Sequence, residues 1–403
     1  MIIYRQNRIN DLMVCFYVIA IIFLLSFIGI GEIGTNVMIP LGIFYLLSSK
    51  FSLLKYALSH KAIKWYFIFC FFTSISIVYA IDPVAAFKTQ KKMLIVFAFS
   101  LIVFSYAVSS VRYIYTMYVT NAFMLLILII YVLSLGVAIN EGRADDTGLN
   151  ANTYGYYIFN GLFSLFILYS GTKIKKKLRV IFLIFLIAAC IFSLWIILLS
   201  ASRGASIITG FLIIGNIFII FSLSKKGVMK KLVFFLFTLL SLIYFTTYLN
   251  DNYFQDSYLS KRFQLLEEVE TPRELLINNA IEIGIRNPII GVGAGNFAII
   301  QKTDEQGSFS HNTFTEIFAN FGLLGLVLYG GFFSNILFKL RKLFKYSDIN
   351  TKIILYQILL FLIAFNIYST LYVVYLSNVF MHLLFVVYAH ILMLDRNLLI
   401  KVK

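Results

Sequence analysis

Apolar stretches recur along the whole chain, separated by short polar turns, and each is long enough to cross a hydrocarbon core roughly 30 Å thick. Read this way, the sequence predicts twelve spans, at 12–30, 34–49, 64–82, 93–110, 113–139, 152–171, 179–200, 203–223, 231–249, 311–337, 353–372 and 374–394. Backbone in lipid must satisfy its own hydrogen bonds, so runs this long and this apolar read as helices and not as barrel strands. The second run is short and contains Pro40, which suits a tilted or broken span. The first run is read as a retained span, because no small-residue cleavage site follows it. The expected fold class is an all-α polytopic membrane protein, residues 1–403 forming one integral membrane domain. One connection departs from the short pattern. Residues 250–310 form a large loop between spans nine and ten, too long to lack structure of its own. Within it, 273–286 places Leu276, Ala280 and Ile283 on one helical face beside Ile277, Ile281 and Gly284. That spacing predicts an amphipathic helix, lying on the membrane surface or packed over a cavity, which the following Asn-Pro ends.

Composition agrees with the pattern: of 403 residues, 61% are hydrophobic and only 13% charged. Charge sets the orientation. With the N-terminus inside, the cluster Lys173 to Arg179, the run Lys339 to Lys352 and most other Lys and Arg fall in cytoplasmic segments, while most acids fall outside. The positive-inside rule then places both termini in the cytoplasm and the 250–310 loop outside. The net charge of +16 is thus a topology signal. Nucleic-acid binding would need a basic patch on a soluble module, and none is present. Cys15, Cys70 and Cys190 lie within spans, widely separated, and read as small hydrophobes. His382 and His390 read as polar packing within the last span, and His60 as a solvated loop residue.

Candidate chemistry lies on the outer side. Three polar stretches meet the membrane there: "NEGRADDTGLNANTYG" (Asn140 to Gly155), "SASRGAS" (Ser200 to Ser206) and "FSHNTFTEIFANFGLLG" (Phe309 to Gly325). Arg203 stands in a very short loop between apolar flanks, where an arginine either snorkels to the interface or binds an anion. Arg143 has Asp145 and Asp146 beside it, so a surface ion pair accounts for it by itself. Those two adjacent acids lack a third ligand and do not make a divalent-cation site. At His311, an interfacial histidine beside a helix cap from Asn312 or Ser310 is the plain alternative to a chemical role. Arg262, Arg273 and Arg286 add positive charge in the long loop, and Lys88, Lys91 and Lys92 lie outside against the general trend. Together these residues suit a reaction with an anionic leaving group. Guanidinium forks hold phosphate oxygens, and a histidine near its own pKa can take a proton from an attacking hydroxyl.

The order of these motifs resembles the O-antigen ligase and Wzy-type O-antigen polymerase superfamily. His311, Asn312, Gly322 and Gly325 fill that family's His-span signature. "RNPIIGVGAGNF" resembles the loop segment before that span, "SRGA" resembles its arginine motif, and Arg143 stands in the place of another arginine. The motifs occupy roughly 140–340, with topology alone carrying the resemblance elsewhere. The resemblance implies a GT-C-type membrane glycosyltransferase that uses no metal, cofactor or nucleotide sugar. Its donor would be a glycan on undecaprenyl pyrophosphate and its acceptor a hydroxyl on lipid A–core or on another glycan. The site would face the periplasm from the bacterial inner membrane. By the same resemblance Arg203 and Arg143 would hold the pyrophosphate; Arg273 and Arg286, by their charge in the long loop, would add to its binding. His311 would be the base on the acceptor, with inversion at the sugar C1. From position alone, and not from the resemblance, Asn312 would cap the span and Glu316, one turn in, would orient His311 or Arg203. The motifs do not separate ligase from polymerase, and well-formed Arg and His motifs favour ligase slightly. A twelve-span transporter or a flippase for the same lipid is the reading from another class. The transporter fits poorly because the long loop lies outside and the Gly-Asp-Arg signature is missing between spans two and three.

Overall fold

A computed structural model describes residues 52–134, 151–172, 174–199, 202–223, 272–301 and 309–402. These residues form helices with no strand among them. In chain order they are α1 (Ser52–Ser59), α2 (Lys61–Ile75), α3 (Pro83–Ala107), α4 (Val111–Ser134), α5 (Ala151–Gly171), α6 (Lys176–Leu199), α7 (Arg203–Ser222), α8 (Pro272–Arg286), α9 (Phe297–Ile300), α10 (Thr313–Tyr346), α11 (Ile349–Ser369) and α12 (Asn378–Val402). Among the described residues, seven helices are long and apolar enough to cross a membrane. The described residues are thus all-helical, as a polytopic membrane protein requires. Helices also cover predicted spans six and twelve, as α5 and α12. Predicted spans one, two and nine lie outside the described residues.

Local signals explain where the helices begin and end. The expected start of span four, at 93, is corrected to Pro83. Asp82 accepts from the Val84 and Ala85 amides, and proline fills the first helical position, so capping starts the helix well before its apolar run does. Lys88, Lys91 and Lys92 therefore ride on the first turns of α3. The tenth span runs on past its apolar part to Tyr346. The last two spans are separated by the loop 370–377, with α11 ending at Ser369.

The chain divides into two compact units: 1–120, 270–346 and 365–403 form one, 121–269 and 347–364 the other. In the first, α10 packs against α2, α8 and α12, and α3 packs against α12. Its core is aromatic: Tyr66, Phe69, Phe321, Tyr329, Phe332 and Phe385 are buried, with ring centroids such as Phe69–Phe321 5.9 Å apart. In the second, α5 packs against α6 and α7. Phe163 stacks on Phe361 at 4.3 Å, and Gly161 lets α5 close on the Leu125 side chain of α4. Large apolar side chains point outward from the helices, among them Phe71 on α2, Phe87 on α3, Ile130 on α4 and Ile184 on α6. Buried polar side chains instead turn back on their own helix: Ser105 donates to the Leu101 carbonyl, Ser164 to Asn160 and Asn216 to Leu212. An apolar outside, and polar groups that bond back to their own helix, are what a lipid solvent favours.

Candidate functional site

The site is built on an interruption of α10. Gly322 has φ 62° and ψ −163°, far from helical values, so the helix breaks there and resumes. In an unbroken helix the Leu323 and Leu324 amides would donate to the Ala319 and Asn320 carbonyls. Here all four groups bond elsewhere. Leu323 donates to the Pro288 carbonyl at 2.8 Å and Leu324 to Ile289 at 3.1 Å. Ala319 accepts from the Val292 amide at 3.0 Å and Asn320 from Gly293 at 2.9 Å. Segment 288–293 thus docks into the break and satisfies every one of these four groups. Close approach explains the glycines. A Cβ on Gly322 would press on the Ile289 backbone, and one on Gly291 (φ 69°) on the Asn320–Phe321 peptide. Gly325 lies against the Phe321 side chain with no room for a Cβ.

The other described residues of the loop, within 272–301, are equally anchored. The expected helix at 273–286 is present as α8, and it packs against α10. Leu276 and Ala280 are buried with Phe297 and Ala319, Ile283 packs beside them, and Gly284 meets Phe318. Ile281, expected beside that face, is exposed. Asn296 is fully buried, accepts from the Asp82 amide at 2.6 Å and donates to the Asp82 and Ala294 carbonyls. Ala294 donates to Ser76 Oγ at 3.0 Å. Tyr79 donates to the Ile290 carbonyl at 2.8 Å.

His311 stands at the mouth of α10 with φ 56°, a left-handed conformation uncommon outside glycine. Two caps hold this turn. Asn312 Oδ1 accepts from the Phe314 amide at 2.9 Å and the Thr315 amide at 3.2 Å, so Asn312 caps the helix. Glu316, fully buried one turn in, reaches back and accepts from the Ser310 amide at 2.7 Å. Its other oxygen accepts from Asn320 Nδ2 at 3.2 Å, and Asn320 Oδ1 accepts from the Phe297 amide at 2.9 Å. A continuous polar line therefore runs from the residue before His311 to the end of the glycine-rich loop. On the other side, Thr313 Oγ1 donates to the Tyr372 carbonyl and accepts from the Val374 amide, fastening the loop 370–377 to the start of α10.

The structure gathers some of the expected site residues and leaves others apart. His311, Asn312, Glu316, Gly322 and Gly325 share α10 and its mouth. Arg273 is tied to the same region through the loop 370–377, its guanidinium 5.6 Å from the Tyr372 ring centroid. Arg286 is at the opposite end of α8, about 20 Å away by helical rise, largely exposed and paired with Glu282. Arg203 opens α7, where Ser202 Oγ accepts from the Ala205 amide, and belongs to the other unit; its side chain lies outside what is described. Arg143 lies outside the described residues. Sequence reasoning missed Asn320 and Tyr372, and offered Ser310 only as a possible helix cap. The signal for Asn320 was a lone amide in an otherwise apolar run next to Gly322; Tyr372 carried none, being brought in by long-range contact.

Residues 188–330 match the family model described as O-antigen ligase, a stretch that includes Arg203, Arg273, Arg286, His311, Asn312, Glu316, Gly322 and Gly325. No curated protein matches the chain. The break in α10 at Gly322, its docked glycine-rich loop and the histidine turn all fall within the matched stretch. Over residues 188–330, this chain is similar to the O-antigen ligase family.

Proposed function

We propose that this protein transfers a glycan from undecaprenyl pyrophosphate to an acceptor hydroxyl at the periplasmic face of the bacterial inner membrane, as an O-antigen ligase with a lipid A–core acceptor. The observation that carries the reading is His311, held in a left-handed turn at a span mouth by buried polar partners within the matched segment. A histidine fixed there can take the proton of an acceptor hydroxyl as its oxygen attacks the sugar C1. The C1–O bond to pyrophosphate breaks, and the electron pair leaves with the phosphate. Direct displacement inverts C1. Charge on the leaving group is met in this reading by Arg203 and Arg143, and Arg273, over the Tyr372 ring, adds positive charge. The loop 250–310 covers the site and helps to select the acceptor. Arginine charge serves where other enzymes use a metal, and the fold is of the GT-C type.

The test is made in cells lacking the protein, with glycans separated by size. A ladder that stays on undecaprenyl pyrophosphate and never reaches the surface lipid supports the ligase. Acceptors capped by a single repeat unit, without a ladder, assign a Wzy-type polymerase instead. An unchanged profile overturns both.

A further inference from the structure

The polar line between His311 and the glycine-rich loop has a fixed direction. The Ser310 amide can only donate, and it donates to Glu316 Oε2. The Phe297 amide can only donate, and it donates to Asn320 Oδ1. With Oδ1 so used, Asn320 must present its NH2 to Glu316, which it does at Oε1. Glu316 is therefore approached by donors on both oxygens, and residue 316 must accept twice. A carboxylate can; a carboxamide of the same size offers one acceptor and one donor. Glu316, Asn320, Ser310 and Phe297 are all fully buried, so water has no easy route to replace a lost bond.

We propose that Glu316 is a positioning residue. It acts through the Ser310–His311 turn, and with Asn320 it couples the placement of the His311 ring to the docking of the 291–297 loop. The ends of the line are a backbone amide next to His311 and a backbone amide at the start of α9, so a shift of the loop is passed to the histidine through two side chains. In the glycosyl-transfer reading, on which the functional part of this inference rests, the loop senses the acceptor and the line carries that state to the base.

Direction supplies the test. Glu316→Gln sets donor against donor at one of its two contacts. Adding Asn320→Asp moves the carboxylate to position 320. There it accepts from the Phe297 amide and from the side-chain NH2 of the introduced glutamine, whose own Oε1 accepts from Ser310. The double variant thus restores the three donor–acceptor pairs of the line without restoring either residue. Each protein is purified in detergent, and His311 is labelled with diethyl pyrocarbonate and followed by mass spectrometry. The chain has only four histidines, so His60, His382 and His390 serve as internal references. E316Q is expected to change the His311 labelling rate severalfold, and to lower transfer per folded molecule about tenfold, the scale of one buried donor left unpaired. E316Q/N320D is expected to return both to near the wild-type values. Wild-type labelling in E316Q, or a double variant no better than E316Q, overturns the proposal. If E316Q does not accumulate, the double variant alone decides: accumulation with wild-type labelling supports the proposal, and failure to accumulate overturns it. Labelling does not depend on activity. Shifted and rescued labelling in a protein without transfer would leave the brace standing and remove the glycosyl-transfer reading.

Discussion

Ala319 and Leu323, which would bond to each other in an unbroken helix, instead each bond to the loop before it: Leu323 donates to Pro288 and Ala319 accepts from Val292. Broken helices at membrane depth survive only where protein or a water-filled cavity satisfies the freed backbone. Here the loop does so, one bond for each freed group. The consequence is mechanical: the loop and the break form together, and the helix cannot straighten without expelling the loop. The histidine turn is hung from the same helix on the N-terminal side of the break, so its position inherits that of the loop.

Gly322 is the hinge of this arrangement. Its φ and ψ lie in a region open almost only to glycine, and a Cβ there would come closer than 3.0 Å to the Ile289 carbonyl. Gly322→Ala is expected to cost about 1–3 kcal/mol from conformation alone, with the clash added to that. The measurement is thermal unfolding of purified protein together with its yield in membranes. A variant as stable as wild type would mean that the loop is not docked in the break as described.

His311 separates chemistry from conformation. Asparagine tolerates the left-handed region well, so His311→Asn keeps the turn while removing the imidazole. Both His311→Asn and His311→Ala are expected to accumulate normally and to lose transfer by about 100-fold or more, the usual scale for a removed general base. Normal transfer by either purified variant would remove the proposed role. Loss of the protein itself, in both, would make the residue structural.

Much of this architecture is legible in the chain and some is not, for definable reasons. Apolar runs mark the spans because lipid imposes length and hydrophobicity on every crossing segment. Helix starts are less visible: α3 begins at an aspartate cap and a proline, before its apolar run, and hydropathy does not register caps. The periodicity of 273–286 predicts α8, but whether its apolar face meets membrane or protein depends on α10, distant in sequence. The break at Gly322 is hidden because glycine in an apolar run reads as ordinary span, and its partners Pro288 and Ile289 are known only once the chain folds. His311, Asn312 and Glu316 stand out as polar residues at a span mouth. The line from Glu316 through Asn320 to Phe297 does not, because it is made by folding and not by spacing.

Asn296 fastens the loop to the turn between α2 and α3. It is fully buried and makes one bond with the Asp82 amide and two with the Asp82 and Ala294 carbonyls. Asn296→Ala leaves those groups without partners, and the expected loss of stability is about 2–4 kcal/mol, summed over the groups stranded. Asn296→Asp keeps acceptance from Asp82 but cannot donate, and is expected to be nearly as damaging. Thermal unfolding of the two variants checks this; a loss confined to Ala would mean that only the Asp82 amide matters.

His60 is a correction to the expectation of a solvated loop residue, and it carries a pH dependence. Its ring packs edge-on against Tyr56, at 4.9 Å between centroids, and against Phe104 and Tyr388, residues that folding brings in from far along the chain. Burial first, and then the charge of Lys339, hold its pKa at about 4, against the ordinary value of 6.5. The unfolded chain therefore binds a proton in the interval between these values and the folded chain does not. Stability from a neutral His60 is complete above pH 6.5 and is lost as pH falls through 6.5 toward 4. Other groups titrate in that window, so the informative quantity is a difference between proteins. His60→Phe fills the aromatic cage without a titrating group, and its stability is expected to fall less than that of wild type between about pH 7 and about pH 4.5. Parallel curves for the two proteins would show that His60 is protonated at no extra cost in the fold. Divergence toward low pH, with His60→Phe the more resistant, is the outcome that its caged and cation-facing position requires.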